Sequence, residues 1–160
     1  MASTSTLAKP VQQPARILST AKTRLDYLTS NDWALIADKS QQVLFAKGDV
    51  IIHAGRQPRH VFVILTGKAR IESNPGVKLA HVSPGDVCGE MSFLEHTIAS
   101  ASVIAETDVE VLAIEWTNLQ QLFDLYPHLG SRFYRSLALN LSRRLRRQLS
   151  SGNSSQRFQP

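Results

Sequence analysis

Short apolar runs separated by turn-forming residues fill the middle of the chain, and they restrict its fold more than any other feature. The runs lie between Val43 and Trp116 and are VLF, DVIIHA, HVFVILTG, KARIES, KLAHVS, SVIAE and VEVLAIEW. Turns are marked by Gly48-Asp49, Gly55, Gly67, Asn74-Pro75-Gly76, Pro84-Gly85 and Thr107-Asp108. Several short strands between frequent turns predict a β sandwich or barrel over residues 43–116. Strands do not alternate with long helices, which argues against a parallel α/β sheet.

The N-terminal part of the chain lacks this pattern. Residues 1–16 are rich in Ser, Thr, Ala, Gln and Pro and show no periodicity, which predicts a disordered tail. Apolar residues at helical spacing then predict N-terminal helices over residues 17–42. Thr29, Ser30 and Asn31 are candidate N-caps for the second of these helices.

Helical spacing returns after the strands and predicts C-terminal helices over residues 117–150. Thr117 or Asn118 is expected to cap the first of them, and Pro127 to begin the second. The second helix carries an apolar stripe of Leu129, Phe133, Leu137, Leu141, Leu145 and Leu149. Residues 151–160 contain Ser, Gly and Asn and predict another disordered tail. The expected fold class is therefore mainly β with flanking helices (α+β).

The positive charge of the chain is concentrated near its C-terminal end. The whole chain has a net charge of +5, whereas the segment from Thr117 onward contains seven arginines and only Asp124, a net charge of +6. Four of the arginines form a tight cluster, Arg143, Arg144, Arg146 and Arg147. The cluster predicts a basic, solvated face on the last helix, which suits an acidic protein partner or an anionic membrane surface.

Three motifs within the β-rich part resemble the cyclic nucleotide-binding domain family. They are FAKGDVI at 45–51, VFVILTG at 61–67 and GDVCGEM at 85–91. The family includes regulators of the catabolite-activator type, regulatory subunits of protein kinase A and cytoplasmic domains of gated channels. The resemblance extends over residues 43–145. It implies a jelly-roll-like β-roll (a double-stranded β-helix) of about eight strands with a C-terminal helix that serves as a lid or in dimerisation.

The resemblance also implies a ligand cassette within the segment GDVCGEMSFLEHTIASASV, residues 85–103. The residues that it assigns to the cassette are Gly89, Glu90, Met91, Ser92, Ser100 and Ala101. Glycine lets the backbone approach a phosphate closely, and backbone amides at the start of a short helix can donate hydrogen bonds to it. Glu90 can accept a hydrogen bond from a ribose hydroxyl. The expected ligand is a cyclic nucleotide (cAMP or cGMP) or another small anion.

The cassette departs from the family at the residue that faces the phosphate. The family pattern Pro-Arg-Ala-Ala-Thr-Val corresponds here to IASASV at 98–103, so that Ala99 stands where an arginine is expected. A hydrogen bond to a charged group contributes about 1.5–3 kcal/mol, or roughly 10- to 150-fold in affinity. We therefore expect weak binding, or none, of cAMP or cGMP in the usual mode.

Three alternatives remain open for this cassette. Another cation reaches it, either His96 or an arginine of the cluster on the last helix. Alternatively, the cavity accepts a different metabolite, or one without charge at that end. Finally, the tail of the chain fills the pocket.

Two functions follow from these alternatives. The first is a regulatory sensor that transmits ligand occupancy to its C-terminal helix. The second is a degenerate fold that serves in protein interaction or dimerisation without binding cAMP or cGMP. The chain carries no nucleophile elbow, Walker loop or dinucleotide-binding glycine motif, so we expect no enzymatic activity. Its five histidines show no metal-ligand spacing, so no metal site is expected.

The remaining expectations concern partners and location. The apolar stripe predicts a homodimer through the last helix. Only residues 151–160 follow the predicted C-terminal helices, so we expect no helix-turn-helix domain and no sequence-specific DNA binding. No apolar run reaches the roughly 20 residues of a transmembrane span. The absence of a secretory signal and the single cysteine, Cys88, predict a cytoplasmic location.

Overall fold

The strands form two four-stranded sheets in the computed structural model, which describes residues 23–155. The strands are β1 (Ser40–Phe45), β2 (Val50–Ile52), β3 (His60–Thr66), β4 (Ala69–Ser73), β5 (Val77–Val82), β6 (Val87–Cys88), β7 (Ala101–Ala105) and β8 (Val109–Glu115). One sheet has the order β1-β8-β3-β6 and the other β2-β7-β4-β5, with every neighbouring pair antiparallel. The chain crosses repeatedly between the sheets, and this is the predicted jelly-roll-like β-roll.

Helices flank this roll in the described part of the chain. They are α1 (Ser30–Asp38), α2 (Glu90–Glu95), α3 (Trp116–Leu125) and α4 (Pro127–Ser155). The N-cap of α1 is Thr29, one of the three predicted residues, and it forms a reciprocal capping box with Asp32. The predicted start of the last helix at Pro127 is confirmed. Glu115 rather than Thr117 or Asn118 is the N-cap of α3, and it makes no side-chain capping bond.

The predicted N-terminal helices over 17–42 require correction. Residues 1–22 lie outside the described part, including the predicted tail 1–16. Residues 23–29 are not helical and contain a bend at Arg24 and a turn at Asp26-Tyr27. Their backbone groups bond to distant elements, since Arg24 N–H donates to the Gly85 carbonyl at 2.9 Å and Tyr27 N–H to the Ser136 hydroxyl at 3.0 Å. Strand β1 also begins before 43, since Ser40 already pairs with β8.

The last helix is longer than the sequence predicts. It continues to Ser155 rather than ending at 150, which corrects the predicted tail 151–160 over its first five residues. Extending an existing helix costs little, because each added residue adds a backbone hydrogen bond. The Ser150 and Ser151 hydroxyls donate to the Arg146 and Arg147 carbonyls one turn earlier, both at 3.0 Å, so these polar side chains are accommodated within the helix. Residues 156–160 lie outside the described part.

Two apolar clusters hold the structure together. One lies between the two sheets and contains Phe62, Ile64 and Val111; the other joins the helices to the first sheet and contains Phe93, Trp116 and Phe133. The predicted stripe of α4 divides between two environments. Leu129, Phe133 and Leu137 are buried in the second cluster, whereas Leu145 and Leu149 are 57% and 62% exposed. Within residues 23–155, no helix combines the length and the apolar character needed to cross a bilayer.

Candidate ligand-binding site

The candidate site begins at the turn that leads from β6 into α2. Gly89 has φ +81°, in the left-handed region that glycine tolerates best, and it is the N-cap of α2. A Cβ placed on it would lie 2.9 Å from the His60 carbonyl oxygen and 3.4 Å from Ile52 Cδ1. The close approach of β3 therefore requires a glycine here, and it fixes the position at which Glu90 enters the helix.

All six residues that the resemblance assigns to the cassette line one cleft. They are Gly89, Glu90, Met91, Ser92, Ser100 and Ala101. Ala99, buried with 8% exposure, lies in the same wall and contributes no charge. The cleft has a volume of about 90 Å³ and is otherwise lined by apolar side chains from both sheets and by Arg144 of α4. The fold brings the predicted cassette residues together. No motif in the sequence predicted the apolar wall, which is formed by Ile52, Ile71, Val87 and Val103.

Arg144 contributes a cation to the cleft from a helix that lies 54 residues further along the chain. Its Nη1 lies 2.9 Å from Glu90 Oε1, and its Nη2 donates to the Val87 carbonyl at 3.1 Å. The Glu90 side chain is 4% exposed and that of Arg144 29% exposed. Burial raises the pKa of Glu90 above its usual range, and Arg144 opposes this shift by favouring the carboxylate. The contact is therefore a largely buried ion pair.

The other cations considered from the sequence lie elsewhere. Arg143 pairs with Asp26 at 2.7 Å, and Arg147 Nε donates to the Arg143 carbonyl at 3.4 Å. His96 packs edge-on against the Trp116 ring at 6.0 Å. Arg146 does not line the cleft. Of the candidate cations, the structure places Arg144 in the cleft.

Aromatic contacts connect the cassette helix to α4. The ring of Phe93, in α2, is stacked with Tyr134 at 6.2 Å and meets Phe133 edge-on at 6.2 Å. The same ring packs edge-on against Trp116 at 5.7 Å. The cassette helix and α4 are therefore in direct contact through aromatic side chains.

Cys88 also lines the cleft, from the end of strand β6. Cys88 is buried between the sheets, and its burial raises its pKa, which keeps the group a thiol. Among the described residues, no group of three or more His, Cys, Asp or Glu side chains is placed to hold a metal ion.

Comparisons with known proteins agree with this architecture. The family model of the cyclic nucleotide-binding domain matches residues 42–126. Cyclic GMP-binding protein C of Dictyostelium discoideum is 37% identical over 136 residues, which make up 78% of this chain and 5% of that protein. The chain spans less than half the length of this and similar curated relatives.

Solved structures share the fold. A cyclic nucleotide-binding domain from Methylobacillus flagellatus has a TM-score of 0.81 at 19% identity, covering 89% of this chain and 86% of that one. The catabolite activator protein of Thermus thermophilus has a TM-score of 0.67 at 29% identity, covering 83% and 63%. The chain belongs to the cyclic nucleotide-binding domain family.

Proposed function

We propose that this chain is a non-enzymatic regulatory module that binds a cyclic nucleotide in its cassette and transmits occupancy to α4. The observation that carries the proposal is the position of Arg144, whose guanidinium lies in the cleft beside Gly89, Glu90 and Ser100. An arginine there can take over the charge-assisted contact with phosphate that Ala99 cannot make. Glu90 would then be released to accept a hydrogen bond from a ribose hydroxyl.

The size of the cleft supports a role for α4 in this process. A volume of about 90 Å³ is well below the roughly 300–1,000 Å³ of typical small-molecule sites. A nucleotide therefore needs the cleft to open, and Arg144 and Tyr134 place α4 against both the cleft and the cassette helix. Because Arg144 lines the cleft, opening the cleft would move this side chain, and occupancy would then be coupled to the position of α4.

A second function, a protein-interaction module without a nucleotide ligand, is favoured by one specific observation. In the present arrangement Glu90 and Arg144 satisfy each other inside a small cleft. A pocket already filled by its own ion pair requires no ligand. We propose this function as the alternative to nucleotide sensing.

Calorimetric titration with cAMP and with cGMP distinguishes the two functions. The first predicts saturable binding to the wild type, at least tenfold weaker binding to Arg144→Gln, and partial recovery in Arg144→Lys because the charge is restored. Arg146→Gln is the matched control, since it removes an arginine of the same helix outside the cleft, and it should bind like the wild type. Binding to Arg144→Gln as tight as to the wild type would exclude the role of Arg144. Absence of heat with the wild type supports the alternative.

The homodimer and the cytoplasmic location stay predictions. Exposed Leu145 and Leu149 at the distal end of α4 support a contact between copies of the chain. Sedimentation analysis of Leu145→Glu/Leu149→Glu tests it: the wild type should sediment as a dimer and the variant as a monomer. A monomeric wild type would refute the dimer.

A further inference from the structure

A second and larger cavity lies outside the cassette, at the ends of β2 and β3. It has a volume of about 300 Å³, against about 90 Å³ for the cassette cleft. Ile51 and Phe62 form its buried apolar floor, and the loop that joins the two strands supplies its rim. We call it the β2–β3 cavity. Its volume is at the lower end of the roughly 300–1,000 Å³ that small-molecule sites occupy.

The rim of the β2–β3 cavity carries two unpaired cations. Arg56 and Arg59 are exposed, and within residues 23–155 neither guanidinium makes an ion pair or a side-chain hydrogen bond. Among the described residues that line the cavity none is acidic, and Glu115, the strand partner of His60, acts electrostatically on its imidazole. Burial holds the pKa of His60 below its usual range, so this imidazole is neutral near pH 7. At neutral pH the fixed positive charge of the cavity therefore comes from the two arginines.

Backbone hydrogen bonds hold the loop that presents these arginines. The Arg56 carbonyl accepts from Ala99 N–H at 2.9 Å, and Gly55 N–H donates to the Ala99 carbonyl at 2.8 Å. At the other end, the Arg59 carbonyl accepts from Trp116 N–H at 2.9 Å. A loop whose backbone is fixed on both sides keeps the two arginines at one mouth, so that binding need not order the loop itself and the entropy cost is that of the side chains.

We propose that the β2–β3 cavity is a second ligand site that binds a small phosphate monoester with an apolar or aromatic body. The planar forks of two arginines match the oxygens of a phosphate dianion. The apolar body would pack on Phe62 and Ile51, which uses the floor as well as the rim. The arginines of this site belong to a different loop from the cassette residues.

The two cavities nevertheless share structure. Ile52 lines both, and both backbone bonds of Ala99 go to the loop that carries Arg56. A ligand that shifts this loop would therefore move the wall of the cassette at the position of the missing arginine.

Phenyl phosphate is a suitable probe because it combines an aromatic ring with a phosphate monoester. In an NMR titration of the full chain we expect saturable shifts at the β2–β3 cavity, and none with phenol, which lacks the charge. The variant Arg56→Gln/Arg59→Gln should bind at least tenfold more weakly. Lys68→Gln/Arg146→Gln removes the same charge from exposed sites outside both cavities and should bind like the wild type.

Three results would overturn the proposal. The first is a lack of saturable binding to the wild type, and the second is undiminished binding to Arg56→Gln/Arg59→Gln. The third is loss of binding in Arg144→Gln protein whose NMR spectrum shows it folded, which would place the probe in the cassette. Co-sedimentation with vesicles containing phosphatidic acid separates the two sources of a phosphate monoester. Binding to these vesicles without binding of phenyl phosphate is a case of the first result, and it would assign the cavity to a lipid headgroup instead of a small molecule.

Discussion

Removing Arg144 should destabilise the fold, and the loss should depend strongly on pH. In Arg144→Gln the Glu90 carboxylate, 4% exposed, loses the cation that compensates its burial. Removing one partner of a buried ion pair typically costs about 3–5 kcal/mol. Arg144 is itself 29% exposed, so the lower part of this range applies.

Protonation of Glu90 sets a ceiling on this loss. A pH of 7 is about 2.5 units above the usual carboxyl pKa of 4.5. Protonating the carboxyl at this pH therefore costs about 3.4 kcal/mol, at about 1.4 kcal/mol per unit. At pH 5 the same ceiling is about 0.7 kcal/mol. The Val87 carbonyl also loses its donor, at a cost of about 1 kcal/mol that does not depend on pH. We expect a total loss of about 4 kcal/mol at pH 7 and about 1–2 kcal/mol at pH 5.

The direction of this pH dependence follows from the raised pKa of Glu90. Without Arg144 the folded pKa of Glu90 rises further above its unfolded value, so the folded state binds more protons and stability falls as the pH rises between the two values. Urea unfolding at both pH values measures the loss. Adding Glu90→Gln to Arg144→Gln should recover much of the lost stability and remove the pH dependence of the loss. The control Arg146→Gln should change the free energy of unfolding by less than about 0.5 kcal/mol. A loss of the same size at both pH values would refute this reasoning.

Three further predictions concern the cassette and α1. Gly89→Ala should lower the free energy of unfolding by more than Gly48→Ala does. Gly48 has a similar positive φ but open space around it, so its substitution should cost about 1–2 kcal/mol. Thermal or urea unfolding of both variants measures the additional cost of the clash at Gly89. Ala99→Arg should strengthen binding of cAMP or cGMP by roughly 10- to 150-fold in calorimetry, and unchanged binding would mean that the wall cannot present a cation. Asp32→Asn should destabilise the chain at neutral pH, because the Arg132 hydrogen bonds hold the pKa of the Asp32 carboxyl below its usual value. The stabilisation by Asp32 is complete above the usual pKa and is lost as the pH falls through the lower pKa of the folded state. Unfolding curves of the wild type and the variant should therefore converge in acid.

The parts of the structure that depend on local sequence were the ones that could be predicted. The short apolar strands, the turn at Gly48 and the N-cap at Thr29 all arise from neighbouring residues. The conformation of residues 23–29 depends instead on distant parts of the chain. These residues have helical spacing but are not helical, and Arg24 and Tyr27 bond to groups far away in the chain. Periodicity does not report such bonds.

Arg144 was one of several candidate cations, and nothing local distinguished it. The cluster Arg143, Arg144, Arg146 and Arg147 places arginines around much of the helix circumference. Which of them meets Glu90 depends on the rotation of α4 about its axis. That rotation is fixed by Leu129, Phe133 and Leu137 in the core, more than one turn before the cluster. The choice therefore belongs to tertiary packing.

Under the proposed function, the cation that meets the phosphate is Arg144 on α4 and not a residue at position 99 on the cassette wall. This difference has a thermodynamic consequence. A cation at position 99 would stay in the cleft whatever α4 does, whereas the charge of Arg144 leaves with the helix. Nucleotide affinity then depends on the position of α4, and by linkage the ligand must bias that position by the same free energy. The exposed residues Leu145 and Leu149 lie on the same helix, one and five residues beyond Arg144. Any partner that holds them would therefore change the affinity of the cassette, and the ligand would change the affinity for that partner by an equal factor.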